Sequence, residues 1–137
     1  MLAHMASPTT ALIIDDESHV RTFLRLVLKE LGIATTWEAK DGAEGLACID
    51  AQRPELVLLD LHMPVLGGLD TLGEIQGRHP GLPVVVVTSS AAMGNVHEAV
   101  RLGAAGYILK QSPRAEVLSS LREILESLEA ESANGPE

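Results

Sequence analysis

The chain has 137 residues, 46% of them hydrophobic, and a formal net charge of −9: one ordinary domain with core enough to fold without staples, and not a disordered chain. So acidic a balance argues against nucleic acid or an anionic membrane as partner, and three aromatics (Phe23, Trp37, Tyr107) make no stacking platform for bases. A single cysteine, Cys48, excludes an internal disulfide framework and a cysteine zinc site; with no membrane-length apolar run and no visible signal peptide, a reducing, cytoplasmic setting is the expectation.

Residues 1–9 (MLAHMASPT) read as a leader, in which His4-Met5 resembles a cloning scar. A buried strand follows at 11–14 (ALII). Ser18 suits an N-cap, and Val20, Phe23, Leu24, Val27, Leu28 and Leu31 recur at helical spacing until Gly32 stops the helix. A weaker strand is expected at 33–37 (IATTW), then a helix over 42–52 capped by Asp41. The third strand, 56–59 (LVLL), ends in Asp60. A loop with Pro64, Gly67 and Gly68 leads to a glycine-weakened helix over 69–78. Pro83 opens the fourth strand, 84–87 (VVVV), and a short helix covers 95–102. The fifth strand is 106–109 (GYIL). Ser112 and Pro113 suit the N-cap and first position of a last helix, with Val117, Leu118, Leu121, Ile124, Leu125 and Leu128 as its apolar stripe. Residues 129–137 read as a polar tail or a truncated linker, leaving 10–128 as the domain.

Five βα units with uninterrupted apolar strands imply a parallel sheet covered by helices on both faces. The expected fold is a flavodoxin-like, doubly wound (βα)5 with strand order 2-1-3-4-5. Such sheets bind ligands at the carboxyl ends of their strands. Those ends carry Asp15, Asp16 and Glu17 after the first strand, Asp60 after the third, Thr88 to Ser90 after the fourth and Lys110 after the fifth. In that order Asp60 lies between the first-strand acids and Thr88. Lys110 sits about 10 Å away across two strands, a gap its long stem can cover.

Carboxylates gathered at one sheet end repel, so either one stays protonated or a cation sits among them. An all-oxygen set with waters suits Mg²⁺ or Mn²⁺ rather than zinc. With a cation and Lys110 present, the site can accept a phosphoryl group. Asp60 is then a candidate nucleophile, Thr88 a hydrogen-bond donor and Lys110 a charge partner.

These residues resemble the receiver domain of two-component response regulators. The resemblance rests on Asp15-Asp16 after ALII, LLLDLHMP around Asp60, VVVVTSS around Thr88 and GAAGYILK ending at Lys110, in family order over about residues 10–128. It implies Asp60 as phosphoacceptor, with a histidine kinase or phosphotransfer protein as donor. It implies Mg²⁺ held by Asp15, Asp16, Asp60 and the backbone carbonyl of His62, and phosphoryl contacts from Thr88 and Lys110. Thr88 and Tyr107 would form a switch pair, signalling through the surface of the fourth helix, fifth strand and fifth helix. His62 and Ser90 occupy positions resembling those that tune phosphate lifetime. A downstream output domain or target protein, and phosphorylation-dependent homodimerisation through the last helix, are further implied partners. The chain departs from the family where Gln111, not proline, follows Lys110, so a trans bond is expected there. It departs again at Ser89, where alanine is common.

Three other functions compete. A pseudo-receiver would have a broken acidic site, and this one is intact. A haloacid-dehalogenase-type phosphatase would want an acid two residues after Asp60, where His62 stands. A flavodoxin-like FMN binder would want a Ser/Thr/Gly-rich loop after the first strand, where the sequence reads DDES. The expectation is therefore a signalling phosphoacceptor that assists its own phosphorylation and dephosphorylation, not an enzyme acting on a separate substrate.

Overall fold

The structure is a computed structural model and describes residues 8–63, 65–89 and 93–134. Most of the expected leader, Pro64 and Ser90 fall outside the described residues. The elements in chain order are β1 (Thr10–Ile14), α1 (Ser18–Glu30), β2 (Thr35–Ala39), α2 (Gly42–Gln52) and β3 (Val57–Leu59). They continue with α3 (Gly68–Arg78), β4 (Val84–Thr88), α4 (Met93–Arg101), β5 (Gly106–Leu109) and α5 (Arg114–Asn134). All pairings are parallel, in the order β2-β1-β3-β4-β5. This is the expected flavodoxin-like (βα)5 fold.

Strand side chains alternate between two apolar layers, as the pleat requires. Ala11, Ile13, Leu58, Val85, Val87 and Ile108 pack under α1 and α5, against Leu24, Leu28, Val117 and Leu121. Leu12, Ile14, Val57, Leu59, Val84 and Val86 pack on the other face with Leu46, Ile49, Leu72, Ile75 and Val96 from α2, α3 and α4. Burial on both faces is why these strands carry no polar alternation.

Several boundaries differ from the sequence reading. β2 lies two residues later than expected, because Ile33 closes the end of α1 (its N–H donates to the Leu28 carbonyl, 2.9 Å) and is buried in the α1-side layer. Gly32, at φ 95°, makes the stop. Ser18 is the first helical residue of α1 and not its cap; Glu17 takes the cap position without a side-chain cap bond. Instead Asp15 Oδ1 accepts the Glu17 N–H at 2.9 Å. Asp41 does cap α2, accepting from the Glu44 N–H at 2.8 Å. Pro113 precedes α5, its carbonyl accepting from the N–H groups of Glu116 and Val117. That helix continues to Asn134, through much of the expected tail. Thr9, at the edge of the expected leader, donates its N–H to Glu55 Oε1 at 2.7 Å. Among the described residues no helix is long and apolar enough to cross a membrane.

Candidate functional site

The loops beyond β1, β3, β4 and β5 meet at one end of the sheet, and backbone hydrogen bonds fix where each side chain leaves it. The Asp15 N–H donates to the Ala39 carbonyl (3.0 Å), the Asp60 N–H to the Ile14 carbonyl (2.9 Å) and the Lys110 N–H to the Thr88 carbonyl (2.8 Å). Each functional residue thus continues its strand's ladder for one more rung.

One carboxylate oxygen from each of Asp15, Asp16 and Asp60 lies within 4.8 Å of the others. Asp15 and Asp60 are 1% and 2% exposed, and Asp16 is open to solvent. Lys110 reaches them from β5: its Nζ lies 3.0 Å from Asp15 Oδ2 and 3.3 Å from Asp60 Oδ2. It also donates a hydrogen bond to Glu17 Oε1 at 2.9 Å. Asp60 Oδ1 accepts the N–H of His62 at 3.2 Å. Asp16, Glu17, Asp60, His62, Ser89 and Lys110 line a cleft of about 430 Å³, which Gln111 completes.

Three buried oxygens here have no hydrogen-bond partner: Asp15 Oδ2, Asp60 Oδ2 and Thr88 Oγ1. The first two are within ion-pair distance of Lys110 but lack hydrogen-bond geometry. Buried polar atoms are rarely left so. Two orphaned acidic oxygens beside an exposed third carboxylate fit a hard divalent cation of the Mg²⁺ or Mn²⁺ kind.

The electrostatics show the same tension. Burial first, and the Asp15 charge second, push the Asp60 carboxyl up to about 6, against the His62 amide and Lys110. Burial also raises Asp15. Glu17 is lowered, first by its hydrogen bond to Lys110 and then by the lysine's charge. For Lys110, burial works against the ammonium, but its contacts with the Glu17 and Asp15 carboxylates and the charges of Asp15 and Asp60 outweigh it. The lysine is held charged, above its ordinary range.

The remaining site candidates fall as follows. Thr88 has no exposed surface, and Tyr107, on the neighbouring strand opposite Val86, is 43% exposed. His62 is exposed beside the cleft, and Ser89 is half-buried in its wall. Ser90 lies outside the described residues. No cis peptide bond occurs among the described residues, so Lys110-Gln111 is trans, and Lys110 reaches the acids regardless.

Two contacts at the site leave no signal in the sequence. Glu17 was visible as an acid after β1, but nothing in spacing ties it to a lysine so far along the chain. Arg21 Nη1 donates to the Asp15 carbonyl at 2.7 Å while its Nε pairs with Glu38 at 2.9 Å, bracing the first acid from α1.

A family model described as the response regulator receiver domain matches residues 11–122. Protein-glutamate methylesterase/protein-glutamine glutaminase 3 of Hahella chejuensis is 39% identical over 97 residues, 71% of this chain and 28% of that protein. The chain thus spans little more than a quarter of that relative. Chemotaxis protein CheY of Listeria monocytogenes is 31% identical over 110 residues, 80% of this chain and 92% of its own length. The crystal structure of the receiver domain of NtrX from Brucella abortus superposes with a TM-score of 0.78 at 32% identity, covering 85% of this chain and 98% of that one.

Proposed function

The chain belongs to the response regulator receiver domain family, and on that premise we propose that it is a phosphorylation-driven switch whose phosphoacceptor is Asp60. The observation that carries this reading is the setting of Asp60. It is 2% exposed, has an oxygen without a hydrogen-bond partner beside the cleft, and stands within 3.3 Å of an ammonium that can balance an added phosphoryl charge.

The donor is a histidine kinase or a phosphotransfer protein. An ionised Asp60 oxygen attacks phosphorus, the phosphorus–nitrogen bond of the phosphohistidine breaks, and its electron pair leaves with the imidazole. The product is an acyl phosphate. Asp15, Asp16, Asp60 and the His62 carbonyl would hold Mg²⁺, or Mn²⁺ in its place. When bound, that cation supplies positive charge against the acids and the phosphoryl oxygens. Lys110 contributes the protein's own positive charge at the phosphoryl group. The unpartnered Thr88 hydroxyl donates to a phosphoryl oxygen. Its movement toward the phosphate frees space beside β5, into which the exposed Tyr107 ring turns. The signal then leaves through α4, β5 and α5 to an output domain or a separate target, with homodimerisation through α5 as one form of output. Within this reading the chain is a signalling phosphoacceptor that promotes its own phosphorylation and hydrolysis.

The test is intact mass after incubation with Mg²⁺ and acetyl phosphate, beside Asp60→Asn. One added phosphoryl group, absent in the variant and in chelator, is the expected result. No adduct on a folded chain with bound Mg²⁺ would refute the assignment. Equal sedimentation with and without beryllofluoride would remove the dimer from the proposal.

A further inference from the structure

A lysine ammonium has three N–H donors. Around Lys110 stand three carboxylates, at 3.0 Å (Asp15), 2.9 Å (Glu17) and 3.3 Å (Asp60). The three anchors are unequal. Asp15 and Asp60 are almost wholly buried at the sheet end, where little water can take over their contacts with the lysine. The Glu17 side chain is 47% exposed, and solvent can take over its hydrogen bonds. Glu17 also makes the shortest contact, and it is the one with hydrogen-bond geometry.

We infer that Glu17 is a positioning residue that holds the Lys110 ammonium at the mouth of the site, so that an incoming phosphoryl group must draw the lysine away from it. The inference rests on the phosphoacceptor reading of Asp60. A phosphoryl group on Asp60 brings extra negative charge to within reach of Lys110 and needs at least one of its N–H donors. With Asp60 esterified, Asp15 and Glu17 are the carboxylates left beside the lysine; Asp15 is buried, whereas Glu17 can surrender the ammonium and turn to solvent. Glu17 also lines the cleft itself, so its carboxylate faces any anionic donor entering there. Both effects act against phosphoryl binding in the resting protein.

Glu17 and Lys110 also line an adjoining apolar cavity of about 460 Å³ floored by Phe23, Leu24, Ile108 and Val117. The pair therefore stands as a partition between that cavity and the acidic cleft. Releasing Glu17 changes the polar side of the partition and leaves the apolar floor in place.

The experiment compares the full chain with Glu17→Gln and Glu17→Asp at saturating Mg²⁺. Initial rates of phosphoryl uptake are followed against acetyl phosphate concentration, and beryllofluoride affinity is measured by fluorine NMR. For Glu17→Gln the half-saturating acetyl phosphate concentration is expected to fall about threefold, with a matching gain in beryllofluoride affinity and little change in maximal rate. The gain should shrink in high salt, since the contact is half exposed. Glu17→Asp keeps the charge but shortens the reach, and is expected between the two. Normal uptake by the wild-type chain with unchanged half-saturation and unchanged beryllofluoride binding in Glu17→Gln overturns this inference alone. Weaker binding in Glu17→Gln also overturns it, making Glu17 a helper of the site. No uptake by the wild-type chain removes the phosphoacceptor reading and this inference together.

Discussion

Gly68, the first residue of α3, lies hard against Asp60: a Cβ built on it would stand 2.5 Å from the Asp60 carbonyl oxygen and closer still to Leu61 Cα. The obstacle is backbone, so no side-chain rotation can relieve it. Gly68→Ala is expected to destabilise the fold by about 1–3 kcal/mol and to slow phosphoryl uptake, because the loop carrying Asp60 must shift. Gly73, in the same helix, serves as the control, since a Cβ added there would meet nothing within 4 Å. Gly73→Ala is expected to stabilise by about 0.5–1 kcal/mol through helix propensity alone. Thermal denaturation of the two variants checks both signs.

Asp60 titrates at about 6 in the folded chain against an ordinary 3.8, with burial the main cause. The folded state therefore holds this proton more tightly than the unfolded state. Its contribution to stability is favourable at low pH and is lost as pH rises from about 4 to about 6. Asp60→Asn, which carries no charge at any pH, is expected to be more stable than wild type by about 2–3 kcal/mol near pH 7.5 in chelator. Near pH 3.5 the gain should vanish. Urea denaturation at both pH values is the measurement, and an equal gain at both would mean that the charge is not the cause.

Thr88 carries a hydroxyl with no partner and no exposed surface. Valine has nearly the same shape without that oxygen. Thr88→Val is expected to raise stability by about 1 kcal/mol, since an unsatisfied buried group is removed. The same change is expected to cut phosphoryl uptake about tenfold, since the donor proposed for the phosphoryl oxygen is lost. A residue kept only for packing would move neither quantity in this opposed way.

Val65 is 82% exposed and takes φ 70°, the left-handed region that a β-branched side chain resists. Val65→Asn is expected to stabilise the chain by about 1 kcal/mol, because asparagine tolerates that backbone. A rise in melting temperature with unchanged acetyl phosphate kinetics is the expected pair of results.

The sequence was most legible where both faces of a strand are buried. ALII, LVLL and VVVV leave no room for a second interpretation, and the polar residue ending each run marks the sheet's carboxyl edge. That is why Asp15, Asp60 and Thr88 can be placed from the sequence, while Lys110 follows the half-exposed strand GYIL. The edge strand β2 was harder to place: Thr35 and Glu38 are exposed, and Ile33, the most apolar residue of the stretch, belongs to the connection rather than the strand. Ser18 does not cap α1, because Asp15 Oδ1 takes the Glu17 N–H, bonding locally from a residue whose other oxygen faces Lys110. Glu17 escaped for a different reason. Its partner is brought to it only by the order of the strands, and no local pattern encodes a contact of that range.

The Lys110 contacts tie the two halves of the chain into a single test of completeness. Its N–H closes onto Thr88 and its ammonium onto residues at the end of the first strand, 93 positions earlier in the case of Glu17. A folding intermediate in which β5 has not yet docked would present the acids without their cation, a crowd of negative charge that repels any anionic phosphodonor. On the phosphoacceptor reading of Asp60, a chain whose β5 has not docked is expected to take up no phosphoryl group.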